Sequence, residues 1–126
     1  MMGHEMDYDN EKNRKMILSY YKVLGDDRFL TILDSYSKAE GYGVEAVWCV
    51  FAHEFKSWEE DYFGDTGVIY FFDYPIVPEE ESVILDNEVF IKYLKEASAE
   101  YLTRHPNQLA TVEDYIIRIE KEFVSN

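Results

Sequence analysis

Few residues in this chain have the side chains that acid–base or nucleophilic chemistry requires. The single cysteine, Cys49, lies inside the apolar run of residues 46–52, where a cysteine is usually a small, unreactive hydrophobe. His53 follows that run with Glu54 beside it, and this pair could transfer protons. A histidine at a strand end more often bonds to the backbone. Because the chain also lacks GxSxG, HExxH and glycine-rich phosphate-loop motifs, we predict no catalytic residues.

Carboxylates in residues 59–65 raise the alternative of a metal site. The segment reads Glu-Glu-Asp-Tyr-Phe-Gly-Asp and differs from an EF-hand loop, which needs alternating Asp or Asn, a central Gly and a terminal Glu. Phe63 stands where a ligand would be required. A hydrolase that uses bound calcium or a carboxylate pair is therefore the less favoured alternative, and we expect no metal and no cofactor.

Charge is the most unusual property of the sequence. Asp and Glu number 26 against 12 Lys and Arg, giving a formal net charge of −14. Between Ala39 and Ile91 there are 13 carboxylates, and Lys56 is the only basic side chain. Direct binding to nucleic acid or to an anionic membrane is disfavoured, because both are bound through Lys and Arg. A basic protein is the complementary partner.

One segment combines this acidity with aromatic residues and favours an interface. In residues 55–63, Trp58 is flanked by acids, and buried aromatics dominate binding hot spots. Trp58 either contacts a partner or packs under its own loop, whereas for Phe63 packing under the loop is the better interpretation. From charge clustering we predict a partner-contact set of Glu54, Trp58, Glu59, Glu60, Asp61, Asp73, Glu79, Glu80 and Glu81.

Composition also predicts domain organisation and location. A chain of 126 residues fits one domain, so we expect a mobile leader over residues 1–10 and a single domain over residues 11–126. One cysteine allows no intramolecular disulfide, which suits a reducing compartment. The first ten residues lack the apolar run of a secretory signal, and no stretch approaches the roughly 20 apolar residues of a membrane span. We expect a cytoplasmic protein.

Hydrophobic periodicity predicts an α+β fold. Helical spacing covers residues 10–24, 26–36 and 86–104, and a last helix is expected from Thr111. Residues 44–52 carry apolar side chains on both faces (Val44, Ala46, Trp48 and Val50 against Val47, Cys49 and Phe51) and predict a central strand covered on both faces. Strands are also expected over residues 68–74 and 82–85. The order is two helices, about three mostly antiparallel strands and two helices, without βαβ alternation.

Several segments resemble a known family. Residues 41–45 (GYGVE) lead into Trp48-Cys49-Val50-Phe51 and then Trp58-Glu59-Glu60, and Tyr70-Phe71-Phe72-Asp73-Tyr74-Pro75 precedes an acidic turn. This pattern is similar to the ribonuclease-toxin immunity proteins, called CdiI, of bacterial contact-dependent growth inhibition systems. The resemblance spans roughly residues 15–123 and rests on aromatics and glycines rather than on a catalytic signature.

The resemblance implies a cytoplasmic immunity protein that binds the C-terminal toxin domain delivered by a neighbouring cell. The ribonuclease cleft must be basic to attract RNA, and an acidic surface can compete for the same Lys and Arg side chains. A DNA-mimic inhibitor of a nucleic-acid-binding protein is the main alternative. That class requires a long, regular array of carboxylates, whereas these acids are clustered among aromatics.

Overall fold

Four helices enclose one face of a four-stranded antiparallel sheet. The computed structural model describes residues 9–123. The helices are α1 (Glu11–Leu24), α2 (Asp26–Ser37), α3 (Asn87–Arg104) and α4 (Leu109–Phe123). The strands are β1 (Tyr42–Val44), β2 (Val47–Phe51), β3 (Val68–Phe72) and β4 (Glu81–Leu85), which pair in chain order. The predicted α+β class, with its two flanking helix pairs, is confirmed.

Local sequence signals begin and end the helices. The Asn10 side chain accepts a hydrogen bond from the Asn13 N–H (2.9 Å) and caps α1. Asp86 caps α3 in the same way by accepting from the Val89 N–H (2.8 Å). Gly25 lies at φ 87° between α1 and α2, a conformation that glycine adopts without steric cost. The chain therefore reverses between the first two helices within one residue.

The single strand predicted over residues 44–52 is wrong in two respects. The structure divides this stretch into β1 and β2, joined by a two-residue turn at Glu45-Ala46. The turn is hidden in the sequence because Glu45 takes φ 55°, where glycine or asparagine is expected. The sheet consequently has four strands rather than three. Nor is β2 covered on both faces, because Trp48 is 46% exposed.

The core lies between the inner face of the sheet and the four helices. Alternate strand residues point inward, as the two-residue period of a strand requires. The inner-face residues, all buried, are Val47, Cys49, Phe51, Val68, Tyr70, Phe72, Val83 and Leu85. Helical residues that pack against them include Ile17, Tyr20, Phe29, Leu33, Tyr36, Phe90, Leu94, Ile116 and Ile119. On the opposite, outer face, Trp48 is 46% exposed and Ser82 is exposed, whereas Ile69 and Ile84 are buried.

Other differences from the prediction are at element boundaries. The last helix begins at Leu109 rather than Thr111, after a 3-10 turn at Pro106–Gln108. Strand β3 ends at Phe72, two residues before the predicted end. Most of the predicted leader, residues 1–8, lies outside the described residues. Within residues 9–123, no helix combines the length and apolarity that crossing a bilayer requires.

Candidate functional site

The residues of the predicted contact set lie in two acidic loops at opposite ends of the sheet. The first loop, residues 52–67, connects β2 to β3 beside the Phe51–Val68 pair. The second loop, residues 73–80, connects β3 to β4 beside the Phe72–Glu81 pair. Strand β3 has five residues, so the two ends are roughly 14 Å apart at about 3.4 Å per residue. The acids therefore form two clusters and not one.

The first loop presents Trp58 to solvent. Its side chain is 80% exposed, which excludes the interpretation that it packs under the loop. Glu59 closes a local turn, since its Oε1 accepts the Lys56 N–H at 2.6 Å. Glu60 and Asp61 follow on the exposed surface. Phe63 is half-buried against Phe55, with ring centroids 6.0 Å apart, as predicted for that residue.

Glu54 has an internal role that its sequence position did not reveal. Its Oε1 accepts hydrogen bonds from the Gly41 N–H (3.1 Å) and the Phe51 N–H (2.8 Å). The carboxylate thus joins the end of β2 to the start of β1. Hydrogen bonds between a carboxylate and backbone N–H groups are among the stronger ones in proteins. The carboxylate of Glu54 is therefore engaged with its own backbone.

Acids next to β2, β3 and β4 lie together at the end of the sheet that carries the second loop. Asp73 follows β3, and its N–H donates to the Ala46 carbonyl in the β1–β2 turn at 2.9 Å. Glu81 begins β4 opposite Phe72, with the exposed Glu79 and Glu80 just before it. Glu45, which was not predicted as a site residue, lies in the β1–β2 turn at the same end and is exposed.

An aromatic surface on the outer face of the sheet was missed by the sequence analysis. Trp48 on β2 is in register with Phe71 on β3 and with Gly43 on β1. Phe71 is half-buried, and the next position in the row is Ser82, which is exposed. Farther along the same face, Ile69 and Ile84 are buried. Successive residues of β2 point to opposite faces of the sheet. Because all five are apolar, the sequence did not show which face is exposed.

Charge on the helical side is compensated by local ion pairs. Arg104 binds Asp26 (2.7 Å), and Lys95 binds Glu120 (2.8 Å). Arg14 binds Glu96, which joins α1 to α3. Apart from Lys56, every basic residue precedes β1 or follows β4. The excess negative charge consequently lies on the loops and turns at the two ends of the sheet.

Cys49 and His53, the two residues considered for catalysis, are buried or bonded to the backbone. Burial raises the pKa of the Cys49 thiol to about 12, so the nucleophilic thiolate is disfavoured. His53 Nε2 bonds to the Ala39 carbonyl at 2.6 Å, the backbone contact expected for a strand-end histidine. Within residues 9–123, no three side chains of His, Cys, Asp or Glu converge as metal ligands. Burial therefore accounts for Cys49, and a backbone contact accounts for His53.

Concave surfaces of the described residues lie away from most of the predicted acids. A shallow groove of about 500 Å³ runs between α3 and α4, lined by Leu102, Leu109 and Ile117. A second cleft of about 260 Å³ lies beside His53 and Asp65 at the end of α4. None of the predicted contact residues lines either of these concave surfaces, so they suit a protein partner better than a small ligand.

Comparison with known proteins identifies one family. The family described as CDI immunity protein matches residues 13–116, from α1 through all four strands into α4. No curated protein matches the chain.

Proposed function

Since the chain belongs to the family of CDI immunity proteins, whose role is to bind a cognate toxin protein, we propose that its toxin is a basic nuclease. The substrate of that nuclease is RNA. The immunity protein covers the active cleft or the RNA-binding surface of the toxin with its acidic, aromatic-containing surface. No chemistry by this chain is needed, because occlusion is sufficient for inhibition.

The observation that carries this proposal is the uneven charge. Residues 39–91 hold 13 carboxylates and one lysine, and they include the two acidic loops. The helical side pairs its own charges, for example Arg104 with Asp26. Some of these carboxylates, such as Glu54 and Asp86, accept backbone N–H groups, but clustered carboxylates repel one another. A basic partner converts that repulsion into attraction. A surface that binds phosphates has the required basic side chains.

Inhibition follows from competition for the same cations. A ribonuclease holds the RNA backbone with Lys and Arg, and carboxylates of the immunity protein pair with these groups in place of phosphate oxygens. The contact set comprises Glu54, Trp58, Glu59, Glu60, Asp61, Asp73, Glu79, Glu80 and Glu81. Glu54 contributes mainly by holding the first loop in place, because its Oε1 already accepts two backbone N–H groups.

The proposed site of action is the cytoplasm. A ribonuclease toxin meets its RNA there, and the immunity protein must reach the toxin before the RNA does. The reducing environment agrees with a chain whose one cysteine is free and buried.

The test is co-purification with the toxin domain encoded beside this chain, followed by an RNA-cleavage assay. We expect a stoichiometric complex and loss of cleavage when the immunity protein is equimolar. An unrelated basic ribonuclease serves as the control and should remain active, because specificity requires more than net charge. A complex whose toxin cleaves no RNA would overturn the nuclease assignment, and failure to form any complex would overturn the pairing.

A further inference from the structure

A tryptophan on the sheet is better prepared for binding than the more exposed Trp58. Trp48 is held by three neighbours. Its Nε1 donates to the Glu45 carbonyl at 3.1 Å, its ring lies against Gly43, and Phe71 is its cross-strand neighbour. A side chain whose rotamer is already fixed loses little conformational entropy when a partner covers it.

The contact with Gly43 is close. A Cβ atom at Gly43 would lie 2.3 Å from Cδ2 of Trp48 and 2.5 Å from Cε3, so only glycine permits this position of the indole. The ring therefore lies over the neighbouring strand while 46% of its surface remains exposed. A large, rigid and half-exposed aromatic side chain is typical of interface hot spots.

Two acids lie beside this aromatic pair at one end of the sheet. Glu45 lies in the turn before β2, and Asp73 follows Phe72 at the end of β3. Glu81, by contrast, is in register with Phe72 and therefore lies on the inner face. An arginine of a partner can stack its guanidinium on an indole and donate to carboxylates beside it. The combination of one apolar centre and an acidic rim is complementary to a basic protein surface.

Backbone strain marks the same location. Glu45 has φ 55°, a region that non-glycine residues populate sparsely. Strained backbone tends to occur where binding geometry is held in place. Here the strained residue supplies the carbonyl that fixes the Trp48 indole.

We propose that the Trp48–Phe71 pair is the apolar centre of the surface that binds the toxin domain. Glu45 and Asp73 form the rim that pairs with Lys and Arg of the toxin. This inference rests on the proposed function and adds the sheet face to the contact set. A second copy of this chain is a poorer occupant, because it would bring identical carboxylates together in a protein of net charge −14.

Fluorine NMR tests the contact without altering the surface. The chain contains two tryptophans, so 5-fluorotryptophan labelling gives two signals, assigned with Trp48→Phe and Trp58→Phe. Adding the unlabelled toxin domain should shift the Trp48 signal. A Trp48 signal that stays in place while the complex forms would overturn the proposal.

Affinity measurements give the second test. Trp48→Ala should raise Kd for the toxin domain by about 10-fold or more, the range of an interface hot spot. Trp48→Phe, which retains an aromatic ring, should raise it less. The ratio of the Trp48→Ala Kd to the wild-type Kd should stay the same at high salt, because salt screens charge pairs but does not screen apolar burial. Ile117→Ala, at a 54% exposed site on α4, is the matched control and should leave Kd unchanged.

The outcomes separate this inference from the proposed function. If wild-type protein binds the toxin and charge reversal in the first loop weakens binding, but Trp48→Ala does not, the proposed function stands and the sheet-face contact is overturned. If wild-type protein binds no toxin, the proposed function itself fails. Sedimentation of the chain alone tests whether a second copy covers this face. A dimer that dissociates on Trp48→Ala would assign the face to a second copy and overturn the toxin contact.

Discussion

The indole ring of Trp48 occupies the space that any side chain at Gly43 would fill, since a Cβ there would lie 2.3 Å from the ring. Gly43→Ala should therefore displace the ring and lower the free energy of unfolding by roughly 1–3 kcal/mol, as overpacking does. Gly41→Ala should cost more, because its Cβ would lie 2.1 Å from the backbone oxygen of Cys49, which cannot rotate away. Urea denaturation measures both. Equal losses would contradict this account.

The end of α2 carries a correctable strain. Ala39 takes φ 61° in a Schellman motif. In this motif the Ala39 N–H donates to the Tyr36 carbonyl (2.9 Å) and the Glu40 N–H donates to the Ser35 carbonyl (2.9 Å). Ala39→Gly should raise the free energy of unfolding by about 0.5–1 kcal/mol, because glycine adopts this conformation without a Cβ clash. Ala99→Gly, at an exposed position inside α3, is the control and should lower it by about 1 kcal/mol. Thermal unfolding shows whether each variant is more or less stable than wild type.

Helices were predictable because their caps and periodicity lie close together in sequence. Gly25 and Asp86 mark helix ends by their own chemistry, and the structure has them there. The β1–β2 turn was not predictable, since Glu45 provides none of the usual turn chemistry. Its positive φ is imposed by strand pairing on both sides, which is a tertiary effect.

The candidate site was predictable in composition but not in arrangement. Charge clustering selected Trp58 and its neighbouring acids, and the structure places them on an exposed loop. Asp73 lies at the other end of the sheet because it follows β3, whereas the first loop precedes β3. The predicted strand over residues 68–74 already implied this separation, but grouping the acids by charge alone did not take it into account. The sequence could not show that Trp48 faces outward, since no polar residue in β2 marks the open face.

The pair of Asp26 and Arg104 predicts an acid-dependent loss of stability. Hydrogen bonds from Arg104 (2.7 and 3.0 Å) lower the pKa of Asp26 to about 2 from 3.8. A lowered folded-state pKa stabilises the protein above the unfolded value, so the contribution is complete above pH 3.8 and is lost as the pH falls through about 2. Because the pair is partly exposed, we expect about 1 kcal/mol or less.

Comparing variants isolates this contribution from general acid effects. Asp26→Asn should be less stable than wild type at neutral pH, and the difference should shrink as the pH falls through that window. Asp27→Asn removes a neighbouring, exposed charge from the same first turn of α2 and serves as the control. If both variants show the same pH dependence, the helix terminus and not Arg104 is responsible.

The buried Cys49 should be inert in the native protein. Burial raises its pKa to about 12, and the hydroxyls of Tyr36 and Tyr70 contact the thiol. Thiol-specific labelling at mildly alkaline pH should proceed only through opening of the fold, and urea should accelerate it strongly. Gly41→Ala should also accelerate labelling, because it weakens the strand pairing beside Cys49. Rapid labelling of stable native protein would contradict the burial of this thiol.

Charge reversal in the first loop should slow toxin association. Glu59→Lys, Glu60→Lys and Asp61→Lys together remove the carboxylates around Trp58, so the association rate at low salt should fall by about 10-fold or more. Its dependence on salt should flatten, because fewer ion pairs are screened. Stopped-flow fluorescence over a salt series measures both effects. Asp61→Lys alone should show the same direction without removing the Glu59 contact to the Lys56 N–H.

The matched control distinguishes a local surface from net charge. Asp27→Lys, Glu100→Lys and Glu113→Lys change the net charge equally, but at exposed positions on helices. If the acidic loops face the toxin, this variant should associate nearly as fast as wild type at about 0.15 M salt, because its altered charges lie outside the two loops and exposed charges are screened over a Debye length of about 8 Å there. Equal slowing by both triple variants would mean that overall charge attracts the toxin, and that the docking surface has to be sought elsewhere on the fold.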